Sequence, residues 1–538
     1  MNLTTDGWIP VANAAGEKRH LSLRQVFAEG QCWQDFAVRP HERVALMRLL
    51  ICIAQAALKG PMKSLEGCMD ELPAKAEAYL VEWHDSFELF HPTTPFLQFA
   101  GLAKAPKEAK KAAGKKSSAP AETEDEEIPP SASKLDFALS TGANTTLFDH
   151  DAASDQARQF TPAQLALMLI TFQCFSPGGL IGKAQWHGED TPGNGKSKHA
   201  PCCPTAMLHA FIRNDSMLAT ITANLLTFDS VNRLYRHDSW GRPVWEEMPT
   251  TFDDTDDVVR NSTRTYLGRL MPLSRAILLR PDGSGLLLAN GLCYPAPPDF
   301  PPEPSASQVK KRDETGLVLV GAGSRALWRE LPALVVRRKL GEPGGPLTVS
   351  EVNNDQSFDL WVGALITDKA SILDTVEGVY SIPAKMLRDE GRKTYENEIH
   401  ECERVAAKLG DACKKYREHL ETRSQKDIGT PYDTIIRVRN KEKGYPEAKS
   451  AIRHYWNAVE QLLWMLNACI AAEDGSEDQT AKRSAWRSAL WKAARDAYYA
   501  ACLFETPRQK RAFPLGLRSL QYVQRKKDEP ITPATQAA

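Results

Sequence analysis

From Glu42 to Leu58 the chain reads ERVALMRLLICIAQAAL, with apolar residues on almost every side of a 3.6-residue period, and this predicts a largely buried helix. Before it, Trp8-Ile9-Pro10 and Leu21 to Phe27 predict a short strand and a helical turn. A second helical pattern from Ala74 to Phe90 stops at His91-Pro92-Thr93-Thr94-Pro95, because two prolines forbid continuation. Thr161 and Pro162 supply a cap and a first-turn proline for a helix over Pro162 to Phe175, and Met207 to Phe228 predicts another. Tyr266 to Leu279 is a mixed apolar run; the turn residues Pro281-Asp282-Gly283 and the run Gly285 to Cys293 then suggest a hairpin. In WVGALITDKASIL, Trp361 to Leu373, apolar anchors at Leu360 to Ile366 and Ala370 to Leu373 flank a polar tip of Thr367, Asp368 and Lys369. A tip held at both ends is either an ordinary exposed corner or a probe that can be pushed into something.

Towards the carboxyl end the period becomes helical throughout. Tyr395, Ile399, Cys402, Ala406, Leu409, Cys413, Tyr416 and Leu420 form one apolar stripe. Ile452, Tyr455, Val459, Leu462, Leu466 and Cys469 form a second, and Trp486, Leu490, Ala494, Ala497 and Ala501 a third. With a shorter helix from about Arg508 to Arg525, single-striped helices of this kind bury their faces most simply in an antiparallel four-helix bundle. The expected class is therefore α+β: a large irregular mixed α/β domain over residues 1–373, then the bundle over 374–538.

At 538 residues the chain exceeds one compact core, and 42% hydrophobic with 25% charged residues is globular composition. Lys and Arg number 67 against 68 Asp and Glu, so any affinity for nucleic acid must rest on local patches or on partners that carry it. One such patch is Arg508, Lys510, Arg511, Arg518, Arg525, Lys526 and Lys527; a solvated helix face is the alternative. The longest apolar runs are too short for a bilayer span. The start MNLTTDGWIP has no basic-then-apolar leader, and the 11 cysteines include no CxxC, so reduced thiols and a cytoplasmic location are expected. Lys104 to Pro130 is nearly free of large apolar residues and is expected to be a disordered insertion.

Candidate chemistry lies on loops. Gly142 to Phe148 (GANTTLF) combines small polar residues with one aromatic, which suits a sugar-phosphate backbone and a stacked base, or else a turn returning Phe148 to the core. Ser176 to Lys183 (SPGGLIGK) places Gly178, Gly179 and Gly182 beside Lys183; it permits close backbone approach by a ligand but lacks the GK[ST] of a phosphate loop. His187, His199, Cys202 and Cys203 have poor spacing for zinc. Gly321, Gly323 and Ala326 fit G-x-G-x-x-A in its loosest form, so a nucleotide-dependent enzyme is one rival reading and a plain turn seating Trp328 the other. No catalytic motif stands out: there is no GxSxG, no HExxH and no carboxylate pair with reason to meet.

In order along the chain, Met1 to Val11 (with MNL and WIPV), HPTTPFLQ, TGANTTLF, SPGGLIGK, GAGSRALWREL, ALITDKASIL and RHYWNAVEQLL resemble the CasA-type large subunit of the type I-E Cascade, the CRISPR surveillance complex that finds foreign DNA with a guide RNA. The similarity covers nearly the whole chain. It implies a non-enzymatic antiviral subunit without cofactors or metal, whose partners are the crRNA 5′ handle, double-stranded target DNA, the other Cascade subunits and a helicase-nuclease that does the cutting. Asn144 and Phe148 would contact the handle, and Gly178, Gly179, Gly182 and Lys183 would lie along the protospacer-adjacent motif (PAM). Thr367, Asp368 and Lys369, with Ala370 alongside, would be the wedge that starts strand separation. Lys369 stands where the family often has glutamine. The family's lysine finger has no counterpart, since no Lys occurs from Arg264 to Val309, leaving Asn290 or Arg280 as its substitute. A pure scaffold is the remaining alternative.

Overall fold

The computed structural model describes residues 1–60, 63–105, 131–137, 159–175, 181–193, 207–235, 240–253, 255–283, 285–295, 303–311, 314–318, 326–339, 342, 344–368, 371–421 and 445–528. The chain forms two compact units, one of residues 1–353 and 358–380, the other of 354–357 and 381–538. Helix and sheet are mixed in the first, and the second is helical.

The first unit is arranged around helix α2. Helix α1 spans Leu23–Glu29 and α2 Pro40–Ala57. Every side chain from Val44 to Gln55 of α2 is buried, as an all-round apolar sequence requires. Around it pack α3 (Cys68–Glu82), α4 (Pro162–Phe175), α5 (Met217–Ala223), and, beyond α6 (Phe228–Asn232) and α7 (Asp257–Arg264), α8 (Tyr266–Leu270). Helix α4 begins and ends where its sequence predicts: the Thr161 hydroxyl accepts the Gln164 N–H at 3.3 Å, one of the donors that the first turn leaves open.

The strands make several small sheets instead of one large one. Strands β1 (Ile9–Ala12), β2 (Lys18–Leu21) and β3 (Asp35–Phe36) run in the order β2-β1-β3, and β4 (Ala103–Lys104), β5 (Ala184–Trp186) and β6 (Glu189–Asp190) in the order β4-β5-β6. Lys104, expected to open the disordered insertion, is thus a strand residue paired with Ala184; residues 106–130 lie outside the described residues. Strand β7 (His209–Arg213) replaces the first part of the helix expected from Met207. An apolar run of that length suits either state, and antiparallel pairing with a distant strand decides it. The expected hairpin is present, with β8 (Arg275–Leu279) paired to β9 (Leu286–Asn290). Strands β10 (Gln308–Lys311) and β11 (Glu314–Val318) form a two-stranded antiparallel sheet. After Ala326 come a 3₁₀ turn, Leu327–Glu330, and one helical turn, α9 (Leu331–Leu334), and together they bury Trp328 completely. A dinucleotide turn requires a parallel strand-helix-strand unit, and none surrounds Ala326 among the described residues; Gly321 and Gly323 lie outside them. Strands β12 (Phe358–Asp368) and β13 (Ser371–Ile382) complete a sheet of order β13-β12-β7.

Charge is buried at the centre of this unit. Arg48 on α2 and Arg269 on α8 both pair with Glu303, and all three side chains are at most 3% exposed. Arg48 also donates from Nε to the Leu270 carbonyl at 2.9 Å, and Ser305 Oγ donates to Glu303 at 3.1 Å. Burial alone would push the Glu303 carboxyl up, but Arg48, Arg269 and His209 outweigh it and hold it below its ordinary range. Nearby, His209 is fully buried, its Nδ1 2.9 Å from Ser305 Oγ, and burial lowers its pKa to about 4. His41, 2% exposed between Phe137 and Phe175, is lowered to about 3, again chiefly by burial. A folded state that keeps two histidines neutral binds fewer protons than an unfolded chain whose histidines titrate near 6.5. Stability is therefore expected to fall as pH drops from about 6.5 towards 4. Urea midpoints at pH 7, 5.5 and 4.5 measure this, and His209→Gln should flatten the slope; an unchanged slope in that variant would remove His209 from the account.

In the second unit α10 (Asp389–Glu421) is the long rod. Helices α11 (Pro446–Glu460), α12 (Leu463–Ala471), α13 (Glu477–Ala501) and α14 (Pro507–Asp528) follow. The predicted second stripe spans α11 and α12, so a break at Gln461-Leu462 interrupts a helix that the sequence pattern reads as continuous. Tyr395, Cys402, Leu409, Cys413 and Tyr416 of the first stripe are buried, as are Tyr455, Val459, Leu466 and Cys469 of the second and Trp486, Leu490, Ala494 and Ala497 of the third. Helix α10 packs on α11, α13 and α14. Glu398 on α10, 1% exposed, takes Arg487 of α13 at 2.7 Å, and the Tyr498 hydroxyl donates to the Phe513 carbonyl at 2.8 Å, tying α13 to α14.

Candidate nucleic-acid interface

The hairpin β12–β13 is anchored chiefly through β12. All seven residues from Leu360 to Ile366 are buried, and β12 pairs antiparallel with β7, Leu360 opposite Ile212 and Gly363 opposite His209. Trp361, 3% exposed, is the principal anchor. Its ring lies 6.0 Å from that of Phe211, the Arg43 guanidinium sits 5.4 Å over it, and its Nε1 donates to Glu377 on β13 at 2.9 Å. Gly363 is required beside it, since a Cβ there would lie 2.3 Å from the indole.

Strand β13 is an edge. Leu373, expected to anchor the second side of the tip, is 47% exposed, and Val379 is 45% exposed; with β12 as its only partner strand among the described residues, β13 has one flank open. Thr367 and Asp368 are the last two residues of β12, and Lys369 and Ala370, which join the strands, lie outside the described residues.

Of the glycine-rich loop, Gly178 and Gly179 lie outside the described residues, whereas Gly182 and Lys183 are exposed and lead directly into β5. A Cβ at Gly182 would meet nothing within 4 Å, so its own surroundings do not demand glycine there. The loop's exit is held firmly: the Ala184 N–H donates to Thr191 Oγ1 at 3.1 Å, and the Thr191 N–H returns to the Ala184 carbonyl at 2.8 Å.

Asn290 is a correction. As a substitute for the lysine finger it would have to face solvent, but it is 3% exposed and both ends of its amide are engaged. Its Oδ1 accepts from Arg275 at 2.9 Å and its Nδ2 donates to the Pro192 carbonyl at 2.9 Å. Asn290 is thus an internal tie between β9 and the segment after β6, and it brings the hairpin and residues 181–193 into one neighbourhood. Arg280 in the same hairpin is exposed and paired with Asp282 at 3.2 Å. Asn144 and Phe148 lie outside the described residues, as do His199, Cys202 and Cys203. Among the described residues no three His, Cys, Asp or Glu side chains are placed to hold a metal, and no helix is long and apolar enough to cross a membrane.

Two features escape sequence reading: the buried Arg48-Glu303-Arg269 cluster, and an arginine-lined pocket beside α7. Neither has a motif, because each gathers residues from distant stretches.

Solved CRISPR-associated chains share this mixed helix-and-sheet fold. The crystal structure of Thermobifida fusca Cse1 superposes with a TM-score of 0.69 at 18% identity, over 97% of this chain and 98% of that one. A chain of a CRISPR RNA-guided surveillance complex gives 0.62 at 15% identity, over 97% and 99%. In sequence, the CRISPR-associated protein CasA/Cse1 of Thermus thermophilus is 25% identical over 532 residues, 93% of this chain and 92% of the relative. The family profile of CRISPR-associated protein Cse1 matches residues 2–497, and the chain belongs to that family.

Proposed function

We propose that this chain is the large subunit of a type I-E Cascade surveillance complex, which recognises the PAM in duplex DNA and uses residues 367–370 as a wedge to start R-loop formation. The observation that supports this reading is strand β12, buried from Leu360 to Ile366, whose last two residues are Thr367 and Asp368. A wedge must resist the load of unstacking a base pair, a few kcal/mol per step, and a strand fixed over seven buried residues can do so. Gly178, Gly179, Gly182 and Lys183 follow the PAM duplex by close backbone approach, and Asn144 and Phe148 hold the crRNA 5′ handle. Minor-groove inspection is degenerate, which fits tolerance of several related motifs, while guide pairing reads the rest of the target. The helical unit acts as an antiparallel four-helix bundle towards the other Cascade subunits, in the cytoplasm, and a recruited helicase-nuclease does the cutting. This chain needs no catalytic residue or cofactor.

Lys369→Ala and, separately, a Gly178-Gly179→Ala-Ala change in the reconstituted complex test the reading. Strand opening, followed with a fluorescent base analogue next to the PAM, is expected to slow about tenfold in the first, the equivalent of about 1.4 kcal/mol. Duplex affinity should fall by a similar factor in the second. If both variants bind and open target duplex like the parent, the chain is a scaffold and the proposal fails.

A further inference from the structure

A pocket of about 490 Å³ lies between the 241–242 loop and helix α7, lined by Arg242, Arg260, Asn261, Arg264, Asp257 and Thr265 together with Gly241. Three arginines line it, all of them exposed. Arg260 pairs with Asp257 at 2.8 Å and Arg242 with Glu247, whereas Arg264 has no acid partner among the described residues. Arg260 and Arg264 are spaced i,i+4 on α7, so two like charges share one side of a short helix, an arrangement that costs a few tenths of a kcal/mol and has no packing return. A cation in the last turn of α7 does suit the helix dipole, but that accounts for Arg264 alone, not for the convergence of Arg242 from another segment.

The pocket is also built rigidly. Asn261 accepts the Arg242 N–H on Oδ1 at 3.2 Å and donates from Nδ2 to the Arg242 carbonyl at 2.8 Å, clamping the loop to the helix. The Thr265 hydroxyl donates to the Asn261 carbonyl at 2.7 Å. Gly241 has φ +71°, and a Cβ on it would lie 1.9 Å from Thr265 Oγ1, so only glycine closes the loop at this position. Arginines rising from a cleft whose backbone is fixed can turn planar forks that match phosphate oxygens in pairs, which lysines would not.

We infer that this pocket binds a single phosphate group, through residues other than those of the wedge and the glycine loop. One phosphate is the right size of ligand, not a tract of them. The adjoining surface carries Asp253 and Asp256, which would repel a second anion on that side. The same phosphate chemistry has two sources, a backbone phosphate of nucleic acid or a free phosphate, and these are separable by experiment. The probes are inorganic phosphate and a ten-nucleotide single-stranded DNA, tested on the purified full chain and on Arg264→Glu and Arg264→Gln. In parent protein, millimolar phosphate should raise the melting temperature above that in chloride of equal ionic strength, and both variants should lose that rise. A backbone source adds a fall of about tenfold in oligonucleotide affinity and a salt slope shallower by about 1. A free-phosphate source leaves oligonucleotide binding unchanged. If phosphate gives the parent no rise, or if the rise persists in both variants, the site does not exist. Because neither probe contains a PAM duplex or requires strand opening, the result is independent of the wedge reading.

Discussion

Replacing Glu303 with alanine is expected to cost about 3–5 kcal/mol, because the change strands two arginines in a dry interior. Arg48 is fully buried and Arg269 3% exposed, and Glu303 is the acid that both address. Their backbone partners, the Leu270 and Arg269 carbonyls for Arg48, satisfy N–H groups but supply no formal charge. The loss is comparable to a large part of the net stability of an ordinary domain. It should appear as a drop in the urea midpoint with little change in slope. Glu303→Gln keeps an oxygen acceptor for Ser305 and Arg48 and should lose less. A Glu303→Ala protein with the parental midpoint would show that the cluster is compensated in some other way. Because the Glu303 pKa lies below its ordinary range, its contribution is present above that range and fades as pH falls through it, the same direction as His41 and His209.

Trp361→Ala is expected to cost a similar amount, about 3–5 kcal/mol, through the cavity left against Phe211 and Arg43. Its second consequence is more specific. With the ring gone, the indole N–H to Glu377 is lost as well, and that bond crosses from β12 to β13. Trp361→Phe separates the two effects, since it keeps most of the packing and loses only the hydrogen bond, for about 0.5–1.5 kcal/mol. If the hairpin is the lever that opens DNA, Trp361→Ala assembled into the complex at a temperature where it remains folded should open duplex more slowly than Trp361→Phe. Equal opening rates would disconnect the anchor from the work.

What the sequence discloses here is local. Helix α4 is legible to the residue because its ends are marked by Thr161, Pro162 and the departure of the apolar pattern after Phe175. The β8–β9 hairpin is legible from Pro281-Asp282-Gly283, where Gly283 adopts φ +72°. Strand β7 is not, because MLHAFI is apolar on every face and only its partner β12, about 150 positions later, selects an extended chain. The break after α11 is hidden for a related reason: the stripe Val459 to Leu466 keeps its helical period across the two residues that leave the helix. At the candidate interface, residue types indicate a tip and a glycine loop, but burial assigns Asn290 to the interior, and nothing in a proline-rich PPEPS stretch announces Glu303 as the centre of an ionic cluster.

The division within β12 has an evolutionary corollary. The burial of β12 is concentrated in Leu360 through Ile366, upstream of the turn, so it is there that substitutions bear on the fold of the hairpin. On the wedge reading proposed above, the residues that would meet DNA are distinct from that buried run. On that reading, selection for recognition and selection for folding act on different residues of one hairpin.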